Sequence, residues 1–75
     1  MSHEDILRRA LAAYLRSGAA DPAFRQPATE LCRVEALGGL TYAVIRNVEG
    51  LLAVYRVRND GMLRRMVRPP RALGD

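Results

Sequence analysis

The residues with the clearest capacity for chemistry are arginines in the last third of the chain. Arg56 and Arg58 precede Asp60-Gly61, and Arg64 and Arg68 follow it. A hairpin that turns at this dipeptide places these four side chains on one sheet face, because side chains alternate along a strand. Guanidinium groups bind phosphate and carboxylate groups in a planar, bidentate geometry. We therefore predict that an anion or nucleic acid contacts the arginines of this hairpin and its flank: Arg56, Arg58, Arg64, Arg65, Arg68 and Arg71.

The net charge of +4 lies entirely in the second half of the chain. Residues 40–75 hold seven arginines and three acids, whereas residues 1–39 hold five of each. All 12 basic residues are arginine, which is also what GC-rich codon usage produces. The placement of the arginines, and not their number, therefore carries the prediction.

Apolar residues share the predicted arginine face, and they favour a different function. A helix of about fifteen residues covers one face of a four-stranded sheet, so the other face stays open, and an exposed apolar patch usually marks an interface. A chain of 75 residues with a single cysteine also lacks the disulfides that support many small domains. We therefore predict foremost a small protein-interaction module, a homodimer or a subunit of a larger complex, and nucleic-acid binding as the alternative. The predicted interface residues are Ile45, Leu52, Val54 and Met66.

The residue types that carry catalysis are scattered along the chain. His3 falls at the start of a predicted helix, and Cys32 reads as a small buried apolar residue of a strand. No pair of carboxylates has the placement that acid–base catalysis requires, and Gly38-Gly39 lacks the context of a phosphate loop. We predict that the protein is not an enzyme and has no catalytic, cofactor or metal site and no small-molecule substrate.

The chain contains no apolar segment of the roughly 20 residues that span a bilayer. Its first residues, Met-Ser-His-Glu-Asp, are polar and acidic, unlike the basic start of a signal peptide. We expect no membrane partner and a cytoplasmic location.

Hydrophobic periodicity predicts the helix and the strands that position these residues. Ser2 and Asp5 resemble a capping box, and apolar residues at helical spacing then predict a helix over residues 3–17. A proline-containing loop over 18–28 follows. Alternating segments between glycine turns predict strands over the ranges 31–37, 40–48, 51–58 and 62–68. Pro69-Pro70 ends the last strand, and residues 69–75 are predicted to be a loose tail.

The predicted fold is a single α+β domain, with the N-terminal amphipathic helix packed on an antiparallel meander in the order 1-2-3-4. Two-residue loops at Gly38-Gly39 and Glu49-Gly50 and a three-residue loop over 59–61 set the strand register. This register places Tyr42, Val44 and Tyr55 under the helix, and Ala43, Ile45 and Val54 on the open face. Strong curling into a small open barrel is the alternative that would bury both faces.

Overall fold

The computed structural model describes residues 2–18 and 26–73. It shows one helix packed on a four-stranded antiparallel sheet in the order β1-β2-β3-β4, so the predicted α+β fold is confirmed. The sheet is not closed into a barrel. The predicted loop over 18–28 falls largely on residues 19–25, which lie outside the described residues. The elements are α1 His3–Gly18, β1 Arg33–Leu37, β2 Leu40–Asn47, β3 Gly50–Val57 and β4 Leu63–Arg65, with 3₁₀ turns at Thr29–Leu31 and Arg71–Leu73.

Helix α1 begins where the sequence predicts it. The Asp5 amide donates to the Ser2 hydroxyl oxygen over 3.2 Å, which satisfies one of the amides that a helix start leaves unpaired. Ile6, Ala10 and Tyr14 recur at helical spacing and are buried. No helix in the described part of the chain is long and apolar enough to cross a membrane.

Two of the three hairpins have the predicted register. Leu37 pairs with Leu40 across Gly38 and Gly39, whose φ angles of 59° and 79° are those of a tight two-residue turn. In the third hairpin, the Arg58 amide donates to the Met62 carbonyl over 2.8 Å, which closes the predicted three-residue loop. Local turn chemistry is therefore sufficient to place β1 against β2 and β3 against β4.

The register predicted for the second hairpin is wrong by two residues at its loop and by one residue from Ile45 onward. Asn47 pairs with Gly50, so the loop residues are Val48 and Glu49. The Asn47 side chain accepts the Glu49 amide over 2.8 Å, the local bond that asparagine makes in turns. The register then shifts next to Ile45, which pairs with Ala53, while Arg46 pairs with Leu51. Leu52 is the extra residue of this bulge.

This register reverses the predicted faces of β1 and β2. Helix α1 covers Ala43, Ile45, Ala53 and Tyr55, and together with Cys32 these residues form the main core. Tyr42, Val44 and Val54 lie on the other side of the sheet, which we call the far face. A one-residue change of pairing exchanges the faces of a strand, and that is the physical cause of the error.

The far face is not left open. Leu73 is 2% exposed and packs in a second cluster with Tyr42, Val44 and Val54. Its carbonyl accepts a hydrogen bond of 2.6 Å from Nη2 of Arg46. The expectation of a loose tail is therefore wrong for residues 69–73. The chain leaves β4, crosses back over the far face and ends in the 3₁₀ turn that Leu73 anchors. Residues 74 and 75 lie outside the described residues.

Candidate functional site

The third hairpin brings two arginines directly opposite each other on the far face. Arg56 of β3 and Arg64 of β4 are cross-strand partners. The loop that fixes this pairing is held by Gly61, whose φ is +84°, and by the Met62 amide, which donates to Oδ1 of Asp60 over 3.0 Å. The φ value is in the left-handed region that glycine adopts without strain.

Neither guanidinium group of this pair forms a hydrogen bond or ion pair with any residue of ranges 2–18 and 26–73. Like charges directly opposite each other in a sheet are destabilising, typically by a few tenths of a kcal/mol up to about 1 kcal/mol. The Arg56–Arg64 pair thus places two positive charges together without an internal anion to neutralise them.

Two shallow depressions meet at Arg56. One, of about 470 Å³, is lined by Leu40 and by residues 56–60, and the other, of about 220 Å³, is lined by Arg56 and by residues 64–67. Both have guanidinium groups in their walls. Arg56 lines both depressions, and the first depression also contains the ion-paired Arg58 and Asp60.

The other predicted arginines are distributed around this pair. Arg58 lies beyond the end of β3, and its Nη2 forms an ion pair of 3.2 Å with Asp60. Arg65 lies on the helix side of the sheet, where its guanidinium is 6.0 Å from the centre of the Tyr14 ring. Arg68 and Arg71 are exposed and follow the last strand. Of the four arginines predicted to share one face, the strand pairing brings Arg56 and Arg64 together.

The tyrosine rings, which all lie among the described residues, are buried and are not available to stack on a ligand. Tyr42 is 5% exposed beneath the C-terminal segment, and Tyr55 is 4% exposed beneath helix α1. Burial raises the pKa of the Tyr55 phenol, although the nearby Arg65 opposes this shift. The phenol is therefore uncharged at neutral pH, and it belongs to the core.

The predicted interface residues do not form one surface. Ile45 and Val54 are both completely buried, and they lie on opposite faces of the sheet. Leu52 packs against the main core, and Met66 packs against the far-face cluster. An interface that uses Ile45 and Val54 together would require the sheet to be uncovered on both sides. The homodimer itself stays a prediction, and it needs another surface.

His3 and Cys32 lie in different environments. His3 is exposed at the start of helix α1, whereas Cys32 is buried, and its thiol donates to the Ala28 carbonyl over 3.3 Å. In the part of the chain that the structure describes, no three histidine, cysteine or acidic side chains lie close enough to hold a metal ion.

Two further charged residues contribute to the far face. Arg46 lies in β2 and anchors Leu73, and Glu35 of β1 lies two strands from Arg56 in the same cross-strand row. At about 4.8 Å per strand the backbones of Glu35 and Arg56 are roughly 10 Å apart. Both are charged residues within predicted strands, which is the signal that the sequence contains.

Comparisons of the chain with protein-family models, with curated proteins and with solved structures give no match. The function is therefore argued from the geometry alone.

Proposed function

We propose that the protein binds nucleic acid by its phosphate backbone, and that the Arg56–Arg64 pair is the centre of the contact. The observation that carries the proposal is this like-charge pair on an accessible sheet face, without an acidic partner among the described residues. A phosphate bound between the two guanidinium groups would convert the repulsion into two charge-assisted contacts.

The surroundings of the pair favour backbone contact over base recognition. The tyrosines of the described chain are all buried, so this surface offers no aromatic ring on which a base could stack. Arg68 is exposed and follows β4, so it adds a further positive charge close in sequence to Arg64. Contacts of this kind give affinity that depends on salt and is largely independent of sequence.

The sequence predicts an interaction module foremost and nucleic-acid binding as the alternative. Here nucleic-acid binding is instead the leading proposal. The sequence favours an interaction module because a single helix covers one sheet face and apolar residues lie on the other. In the structure the segment that ends at Leu73 covers the apolar part of the far face, whereas the arginine pair on the same face lines an open depression. Polyanion binding is thus the function that uses the surface actually exposed.

The test is a titration of a fluorescent 20-base-pair DNA duplex at several salt concentrations. With about two to four phosphate contacts, log K should fall with log salt at a slope of roughly −2 to −4. The double variant Arg56→Gln/Arg64→Gln should make this slope shallower by about 2, because each lost contact removes about 0.9. Its fold should be as stable as the wild type or slightly more stable, since the repulsion is removed.

The matched control is Arg8→Gln/Arg16→Gln, which removes the same charge from helix α1 on the other side of the sheet. Arg8 is an exposed residue, with 74% of its side-chain surface accessible. The control should keep the wild-type slope. Equal losses in the two double variants would mean that net charge alone causes binding, and absence of binding at about 50 mM salt would refute the proposal outright.

A further inference from the structure

The outer edge of β1 has a regular pattern of free backbone groups. β1 is the first strand of the sheet, and no described residue pairs with its outer side. Because the two-residue loop makes Leu37 and Leu40 a hydrogen-bonded pair, the alternation of the ladder points the backbone groups of Val34 and Ala36 outward. An edge of this kind is a template for another strand.

Opposite charges flank Val34 symmetrically on this edge. Arg33 and Glu35 both lie on the far face, where Nε of Arg33 is 3.3 Å from Oε2 of Glu35. This Oε2 atom is buried and forms no hydrogen bond of good geometry with a described residue. The carboxylate is thus only partly satisfied within one copy of the chain.

The charges select one register for pairing with a second copy. In an antiparallel ladder centred on Val34, each Arg33 lies opposite Glu35 of the other copy, which forms two ion pairs across the edge. A ladder centred on Glu35 instead puts the two carboxylates opposite each other, which is destabilising. A ladder centred on Ala36 leaves both charges without an opposite partner.

We propose that two copies of this chain pair through their β1 edges, in the register centred on Val34, to form a symmetric dimer with an eight-stranded sheet. The two-fold axis of an antiparallel ladder is perpendicular to the sheet, so both helices lie on one side and both far faces on the other. At about 4.8 Å per strand, the two Arg56 residues are about 24 Å apart and the two Arg64 residues about 34 Å apart. The dimer is inferred from the edge alone and does not depend on nucleic-acid binding.

The experiment is a charge exchange followed by sedimentation equilibrium, at micromolar concentration and about 50 mM salt. Arg33→Glu puts glutamate opposite Glu35 twice, and Glu35→Arg puts arginine opposite Arg33 twice. Each variant replaces two opposite-charge pairs across the edge by two like-charge pairs, so it should dimerise roughly 10- to 100-fold more weakly than the wild type.

Mixing the two variants tests the register directly. A copy with two acids on its edge complements a copy with two arginines, so the mixture should form a heterodimer. The exchange Arg33→Glu/Glu35→Arg within one chain should restore the homodimer. The control Arg8→Glu makes the same change of charge on helix α1 and should dimerise like the wild type.

Three experimental results would contradict the proposed dimer or its register. A wild type that stays monomeric at about 100 µM would overturn the dimer. Single variants that dimerise as tightly as the wild type would place the interface elsewhere. Failure of the mixture to form heterodimers would overturn the Val34-centred register, even if a single variant is poorly folded alone. None of these results bears on DNA binding, which is measured separately.

Discussion

Truncation of Leu73 should reduce the stability of the protein strongly, because this one side chain anchors the C-terminal segment. Leu73 is 2% exposed in the far-face cluster. Leu73→Ala removes three carbon atoms, which at about 0.8 kcal/mol each gives roughly 2.4 kcal/mol of lost transfer free energy. A residual cavity adds to this cost, while partial collapse of a chain end reduces it, so we expect a loss of about 2–3 kcal/mol.

This loss would be a large fraction of the total free energy of unfolding. A domain of this size rarely has more than about 3–5 kcal/mol of net stability, so the variant should be partly unfolded at room temperature. Val67→Ala is the matched control, since it shortens a side chain of the same segment that is 93% exposed. The control should change the free energy of unfolding by less than about 0.5 kcal/mol.

Urea unfolding followed by circular dichroism measures both variants. A lower midpoint with an unchanged slope for Leu73→Ala would show that the segment is part of the cooperative fold. Trypsin should also cleave after Arg71 faster in Leu73→Ala than in the wild type, because the anchored turn is released. If Leu73→Ala and Val67→Ala unfold at the same urea concentration as the wild type, the packing assigned to Leu73 is refuted.

Two further predictions concern the core and the helix start. Since burial raises the pKa of Tyr55, the stability that its neutral phenol contributes is complete below the unfolded pKa of about 10 and is lost as pH rises through the higher folded value. The urea midpoint should therefore fall between pH 8 and pH 11, and it should fall less in Tyr55→Phe; an equal fall in both proteins would contradict this assignment. Ser2→Ala removes the acceptor of the 3.2 Å hydrogen bond from the Asp5 amide and should lower the free energy of unfolding in urea by about 0.5–1 kcal/mol. Ser2→Thr keeps a hydroxyl acceptor and should retain most of this stability. A Ser2→Ala protein as stable as the wild type would show that the cap contributes nothing.

The candidate site was only partly predictable from the sequence. The pairing of Arg56 with Arg64 follows from a three-residue loop with glycine at its last position, and such loops depend only on neighbouring residues. The partners of the other arginines do not follow from spacing. Arg65 contacts Tyr14 across a long sequence separation, and Arg58 instead forms a local pair with Asp60.

The sequence by itself determined the helix, the four strands, their order and two of three registers, because caps, turns and periodicity act over a few residues. The tertiary structure decided which sheet face helix α1 covers, since the Val48-Glu49 loop and the bulge at Leu52 shift the pairing by one residue. It also decided that Leu73 covers the opposite face. These outcomes depend on how much apolar surface each packing removes from water, which is a property of the whole chain and not of any local segment.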